Sequence, residues 1–169
     1  MPELTTKDRL QPSLLDRLTD DEPEAAVESR ERRVLSMSDL RKSVIRDIEW
    51  LFNAGNLATV LDLSEHDQVA DSVINFGLPD LAGATASGLD PNALERLVRQ
   101  AIWSFEPRIL RHSVKVSCLV SEDLMNRNAL VFVIEGELWG QPLPTRLYLR
   151  TEVDLDTGAV AVSEGGAEG

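Results

Sequence analysis

The apolar residues of this chain change their period once, near Pro107, and that change restricts the fold more than any other feature. Before it they recur at helical spacing; after it they alternate. "SDLRKSVIRDIEWLF" sets Leu40, Val44, Ile45, Ile48, Leu51 and Phe52 on one stripe of an amphipathic helix. Ser38 is the expected N-cap, Asp39 suits the positive end of the dipole, and "NAGN" stops the helix, with Gly55 taking positive φ. A second helix is expected over 65–75, capped by Ser64 with Asp67 at its third position. Val69, Val73 and Ile74 would face inward, and Gly77 and Pro79 would end it. "LPDLAGATASGLD" reads as a loop. A third helix opens with Asp90 as cap and Pro91 at its first position. It stripes Leu94, Leu97, Val98, Ala101, Ile102 and Phe105, and carries a Glu95–Arg99 pair one turn apart.

Beyond Pro107 the pattern is that of strands. "VKVSCLV" alternates Val114, Val116, Cys118 and Val120 against Lys115, Ser117 and Leu119. "ALVFVIEG" is apolar on both faces, as a central strand would be. "TRLYLRTEVDL" turns Leu147, Leu149, Thr151, Val153 and Leu155 inward and Arg146, Tyr148, Arg150, Glu152 and Asp154 outward. "EDLMNRN", "GQPLP" and "DTG" read as turns, the last leading into a short strand, "AVAV". The expected class is α+β: three N-terminal helices packed on one face of a small antiparallel meander of three to four strands. Such a sheet has two edges, whose N–H and C=O groups pair with another chain unless covered.

The ends differ from this core. Residues 1–33 are polar, and "DDEPEAAVE" puts five acids in nine residues, the composition of a flexible arm. Within it "PSLLDRL", 12–18, sets Leu14, Leu15 and Leu18 on one face of a helical turn that Ser13 could cap. An apolar turn in such an arm is either a docking peptide or folds back on its own domain. A single domain is expected over 34–162, with a loose tail at 163–169.

Acids outnumber bases 29 to 17, a net charge of −12, which argues against non-specific nucleic-acid binding and a polybasic membrane anchor. The lone Cys118 makes no intrachain disulfide, the first residues do not read as a signal peptide, and no stretch reads as a membrane span. The expected setting is the cytoplasm.

Candidate chemistry is sparse. Asp156-Thr157-Gly158 matches the aspartic-protease string, but Asp-x-Gly between alternating strands is also a hairpin turn. Glu106 lies beside Trp103 and Phe105, where burial would favour a proton donor, while Arg108 would hold it ionised. A hydrolase using Glu106 or Asp156 is therefore the rival reading, and a generic acidic module that binds basic partners is a third. His66, His112 and Cys118 share no metal-ligand spacing, and His112 and Ser113, adjacent in a strand, would point apart. No catalytic, metal or cofactor-binding residue is assigned. At "FEPRIL" Pro107 ends the helix near Phe105, and Glu106 and Arg108 emerge side by side. They can pair locally, or offer an acceptor and a donor fork to a partner.

"SLLDRL", "SVIRDIEWLFN", "SVINFGLPDLAG" and "FEPRIL" followed by three strands resemble the TssE family. These are wedge subunits of type VI secretion baseplates, related to the phage baseplate wedge protein once labelled lysozyme-like. The resemblance spans roughly residues 12–155. It implies an assembly protein with a sheath-handshake-like fold, not an enzyme. The implied partners are the wedge proteins TssF, TssG and TssK and the sheath proteins TssB and TssC, on the cytoplasmic side of the inner membrane. The family's Glu-Pro-Arg falls on Glu106, Pro107 and Arg108, and the turn Leu14, Leu15, Asp16, Arg17 and Leu18 would dock the arm. For pairing with the sheath, the expected open edge is the strand at 145–155, which carries Arg146, Tyr148 and Arg150, or the strand at 114–120.

Overall fold

A computed structural model describes residues 14–19, 37–70, 72–119, 121–139 and 143–165. After the short turn α1 (Leu14–Leu18), α2 (Met37–Phe52) and α4 (Pro91–Phe105) are the two long helices. Between them lies α3 (Asp67–Ala70), and α5 (Glu122–Asn126) links the first two strands. The strands β1 (Lys115–Leu119), β2 (Ala129–Leu138), β3 (Thr145–Asp154) and β4 (Val160–Glu164) form one antiparallel sheet in chain order. The expected α+β architecture is the one observed.

Both long helices cover one face of the sheet, α4 against β1 and α2 against β4. Leu40, Val44, Ile48 and Leu51 of α2 and Leu94, Val98 and Ile102 of α4 meet Val116, Phe132, Ile134, Leu149 and Val153 in one connected apolar cluster. Thr151 is buried there with its hydroxyl donating to the Phe132 carbonyl at 3.1 Å, so that hydroxyl is not left bare. On the other face α5 shelters one end of the sheet, where Leu124 and Ala129 enclose Val131. That accounts for the two-sided apolar pattern of β2.

Several expectations are corrected. Helix α2 starts at Met37, so Ser38 lies inside its first turn and is not its cap. Gly55 is not among the residues with positive φ; it bridges to Leu78. The second helix is only the four residues of α3, followed by a 3-10 turn at Val73–Asn75. Here side chains compete with the helix for backbone groups: Ser72 accepts the Ile74 N–H, and Asn75 donates to the Ala70 carbonyl. Val73 and Ile74 consequently face solvent, not the core. Ser64 bonds to Asp62 rather than opening a helix. Glu95 does not pair with Arg99 but accepts the Cys118 backbone N–H at 2.9 Å. His112 and Ser113 lie in a 3-10 turn, not a strand. β4 runs to Glu164, beyond the expected end at Val162.

The edges also differ from expectation. β3 lies between β2 and β4, so the strand at 145–155 is internal. The edges are β1, one of the two strands expected, and β4.

Two turns hold the layers together. Gly77 has φ +124, and a Cβ there would stand 2.7 Å from the Ala54 carbonyl carbon. Leu78 N–H donates to Ala54 O at 2.9 Å and Asn56 N–H to Leu78 O at 3.0 Å, which ties "NFGLPD" to the end of α2. At the β3–β4 turn the Asp154 carboxylate accepts the Thr157 and Asp156 N–H groups. Those bonds, Thr157's the stronger cause, hold its pKa below the ordinary 3.8.

Gly77→Ala should therefore destabilise the fold by about 2 kcal/mol or more, read from chemical unfolding. A cost no greater than a surface Gly→Ala change would show that this turn can relax. Because the folded pKa of Asp154 is depressed, its contribution is present above the ordinary carboxylate value. It is lost as pH falls through the folded one. In Asp154→Asn that part of the acid dependence of the melting temperature should disappear.

Candidate functional site

The site grows out of the end of α4. Glu106 caps the helix, its N–H donating to Ile102 O at 2.9 Å, and the chain leaves through Pro107. The segment then runs beside the end of β2: Ile109 bridges to Leu138, and Trp139 N–H donates to Arg108 O at 2.7 Å. Backbone bonds on both sides thus fix where the Arg108 side chain begins.

Arg108 is the hub. Its Nε donates to Glu106 Oε1 at 2.7 Å, and its Nη2 to both Glu106 Oε2 and Asp47 Oδ2, the latter at 2.6 Å. Its Nη1 donates to Ser43 Oγ at 3.1 Å. Ser43 and Asp47 stand one turn apart on α2, so the arginine joins the exit of one long helix to the flank of the other. Asp47 Oδ1 in turn accepts from Arg46 Nε and Nη2, at 2.9 and 2.8 Å. Arg46 Nη1 reaches Asp16 of α1 at 2.7 Å, and its guanidinium lies 5.1 Å from the centre of the Trp50 ring. Five charges of alternating sign, from Asp16 through Arg46, Asp47 and Arg108 to Glu106, form one chain.

Burial makes the inner end strong. The Glu106 side chain is 3% exposed and that of Arg108 20%. Burial opposes the charge on Arg108, but the bonds and attraction of Glu106, then Asp47, outweigh it and raise its pKa. Arg46 follows the same logic: burial opposes its charge, while Asp16 and then Asp47 raise its pKa.

The residues anticipated from sequence fall in three places. Glu106 and Arg108 pair side by side, while Pro107 is exposed. Asp16 joins the same network, and Leu15 and Leu18 of its turn are exposed. The side chains of Leu14 and Arg17 lie outside the described residues, as do Ser13 and the acidic stretch 20–28. Arg146, Tyr148 and Arg150 are brought to the open face of β3, apart from the network. Sequence reading missed Ser43, Arg46 and Asp47. Their one signal was polar positions bordering an apolar helical stripe.

The rival sites resolve differently. Asp156-Thr157-Gly158 is the β3–β4 turn, with Gly158 at φ +76 and its N–H on Asp154 O at 2.7 Å. Asp156 accepts from Asn128, itself at φ +48, whose side chain also donates to Ala84 O and accepts the Ala86 N–H. Asn128 is a loop clamp that sequence reading missed. Among the described residues no group of three or more His, Cys, Asp or Glu side chains could hold a metal ion. A cleft of about 290 Å³ opens between the end of α2 and the β3–β4 turn. Of the polar side chains that line it, Asn53 is bonded to Val160 and Asp80 to Ala82.

The sequence profile described as "Baseplate wedge protein gp25" matches residues 38–143, more than half of the chain. The chain belongs to the baseplate wedge protein gp25 family. The matched region runs from α2 to the segment after β2, and so contains both the Gly77 turn and the Arg108 hub of this wedge-family protein. No curated protein and no solved structure matches the chain. Among the described residues no helix is long and apolar enough to cross a membrane.

Removing Arg108 leaves Glu106 buried without its counter-charge, a far costlier state than losing an exposed pair. Arg108→Ala should cost about 3 kcal/mol in chemical unfolding, and the double change Glu106→Leu with Arg108→Met should recover part of that loss. A cost for Arg108→Ala of only a few tenths would mean that the pair is solvated.

Proposed function

We propose that the chain is a non-enzymatic structural component of a contractile injection baseplate of the type VI secretion kind, on the cytoplasmic side of the inner membrane. It would link the wedge proteins TssF, TssG and TssK to the sheath proteins TssB and TssC. The observation that carries this reading is the family match over residues 38–143, which takes in the whole Glu106–Pro107–Arg108 joint. The hydrolase reading has little to work with. The Glu106 carboxylate is buried against an arginine, and Asp156 is part of a turn.

Two surfaces fit the role. On the wedge side, α1 is tied to α2 through Asp16 and Arg46, and Leu15, Leu18 and the Trp50 ring are exposed about that tie. Holding the turn before a partner arrives lowers the ordering cost of binding. Leu14 and Arg17 would complete this patch, with residues 1–33 as the arm and 34–162 as the wedge domain. Pro107 and the exposed margin of Arg108 would touch the partner, and Glu106 would act through Arg108.

On the sheath side the added strand would join β4. At β1 the Glu95 carboxylate sits on the Cys118 N–H, which blocks a pairing position. At β4 the Asn53 amide bonds both the N–H and C=O of Val160, closing the start of that edge. Ala161 and Ser163 lie opposite Glu152 and Arg150 of β3, and Gly165 N–H donates to Tyr148 O. By alternation, Val162 and Glu164 present their backbone outward. A strand placed there gains main-chain bonds with little demand on side chains. Tyr148 and Arg150 stand one strand in from it, on the open face with Arg146.

Val162→Pro tests the edge. Proline removes an N–H that points away from β3 and so spares the β3–β4 pairing. The variant should melt within a few degrees of the parent and still co-purify with TssF and TssG, but no longer co-sediment with assembled TssB–TssC sheath. A folded variant that joins the sheath as well as the parent would refute strand addition at β4.

A further inference from the structure

We propose that the outer side of α4 and the turn after it form a receptor for an acidic segment of another protein, centred on Trp103 between two arginines. The Arg99 guanidinium lies 5.8 Å from the centre of the Trp103 ring and that of Arg111 lies 5.4 Å from it. The indole N–H donates to the Arg111 backbone carbonyl at 3.0 Å, so helix and turn are locked to each other at this point. Trp103 itself is partly exposed.

Three observations set this cluster apart. First, among the described residues neither Arg99 nor Arg111 has a carboxylate partner, although the chain carries 29 acids. Second, between residues 96 and 115 the one acid is Glu106, which is buried against Arg108, while Arg96, Arg111 and His112 are exposed; Lys115 lies opposite Glu135 of β2. Glu95, the next acid along α4, is engaged by the Cys118 N–H. Third, both guanidinium groups lie within cation–π range of the ring, and among the described residues their N–H groups make no hydrogen bond, so those donors remain available. Two such groups near one ring repel each other, and a segment carrying successive acids relieves that repulsion by giving each guanidinium a charge-assisted partner.

The ligand chemistry follows from the charge balance. A net charge of −12 repels a long polyanion, which excludes nucleic acid as the favoured occupant. A short Asp- or Glu-rich protein segment carries enough charge for two arginines without confronting the rest of the surface. The exposed part of the indole would take an apolar residue beside those acids. Arg99, Trp103 and Arg111 are not among the wedge and sheath contacts proposed above, although Pro107 and Arg108 lie between them in the chain.

The test uses the full chain and two fluorescein-labelled probes, a hexaglutamate peptide and a hexathymidylate, followed by anisotropy at low salt. Hexaglutamate should bind, and Arg99→Gln with Arg111→Gln should weaken it about tenfold or more. Arg150→Gln, on the open face of β3, should change it less than about twofold. Exchanging both arginines for lysine should give an intermediate loss, because charge survives and the fork does not. Circular dichroism melting verifies the fold. If the double variant does not fold, Arg111→Gln alone, in the exposed turn, should still weaken binding measurably. No binding of hexaglutamate overturns the proposal, as does equal binding by parent and variant or an equal loss in Arg150→Gln. Tighter binding of hexathymidylate that is lost in the same variant would overturn the partner class.

Discussion

A buried carboxylate that must keep its arginine is the constraint on which the rest of the molecule depends. Glu106 is enclosed where α4 ends, and its charge is tolerable there because Arg108 meets it with two donors. Pro107 makes that meeting local: it stops the helix and projects residues on either side of it in one direction. Once placed, Arg108 has donors left for Ser43 and Asp47, which fixes the angle between the two long helices. The same short segment lies against the end of β2. One joint thus registers α2, α4 and the sheet together.

Function in this family member is best understood as geometry made rigid by such joints. The Gly77 turn does for the end of α2 what the Arg108 hub does for its middle: it lets two backbones approach where a side chain would intrude. Asn128 does the same between the 84–86 loop and the β3–β4 turn. The structural role proposed above needs surfaces held in fixed relation. These joints add to the apolar core in holding them. The treatment of the sheet edges fits the same picture. Glu95 and Asn53 each close one position, which limits uncontrolled pairing while leaving a short stretch of β4 available.

The acidic surplus of the chain is unevenly distributed, and that unevenness matters more than the total. Carboxylates accompany Arg46 and Arg108 in the α2 network. Beside Trp103, by contrast, Arg99 and Arg111 have no carboxylate partner among the described residues. A net charge summarises solubility and long-range repulsion; a contact surface depends on which charges have been neutralised internally.

The amino-acid sequence alone determined the class of fold, because periods of 3.6 and 2 report which side of each element avoids water. It determined the inward rows of α2 and β3 and, apart from the exposed Leu97, that of α4, as well as the central place of β2, the Asp90–Pro91 helix start, and the stop at Pro107. It misjudged the segment at 65–75, where Ser72 and Asn75 side chains replace helical hydrogen bonds, a local competition that hydrophobic spacing does not register. Tertiary structure decided which strands lie at the edge, since the strand at 145–155 becomes internal through pairing with residues that follow it. It also decided that Glu106 and Arg108 meet Ser43 and Asp47. Those partners lie more than fifty residues apart in the chain (separations of 61 and 65 for the arginine) and are joined by packing that no local pattern encodes.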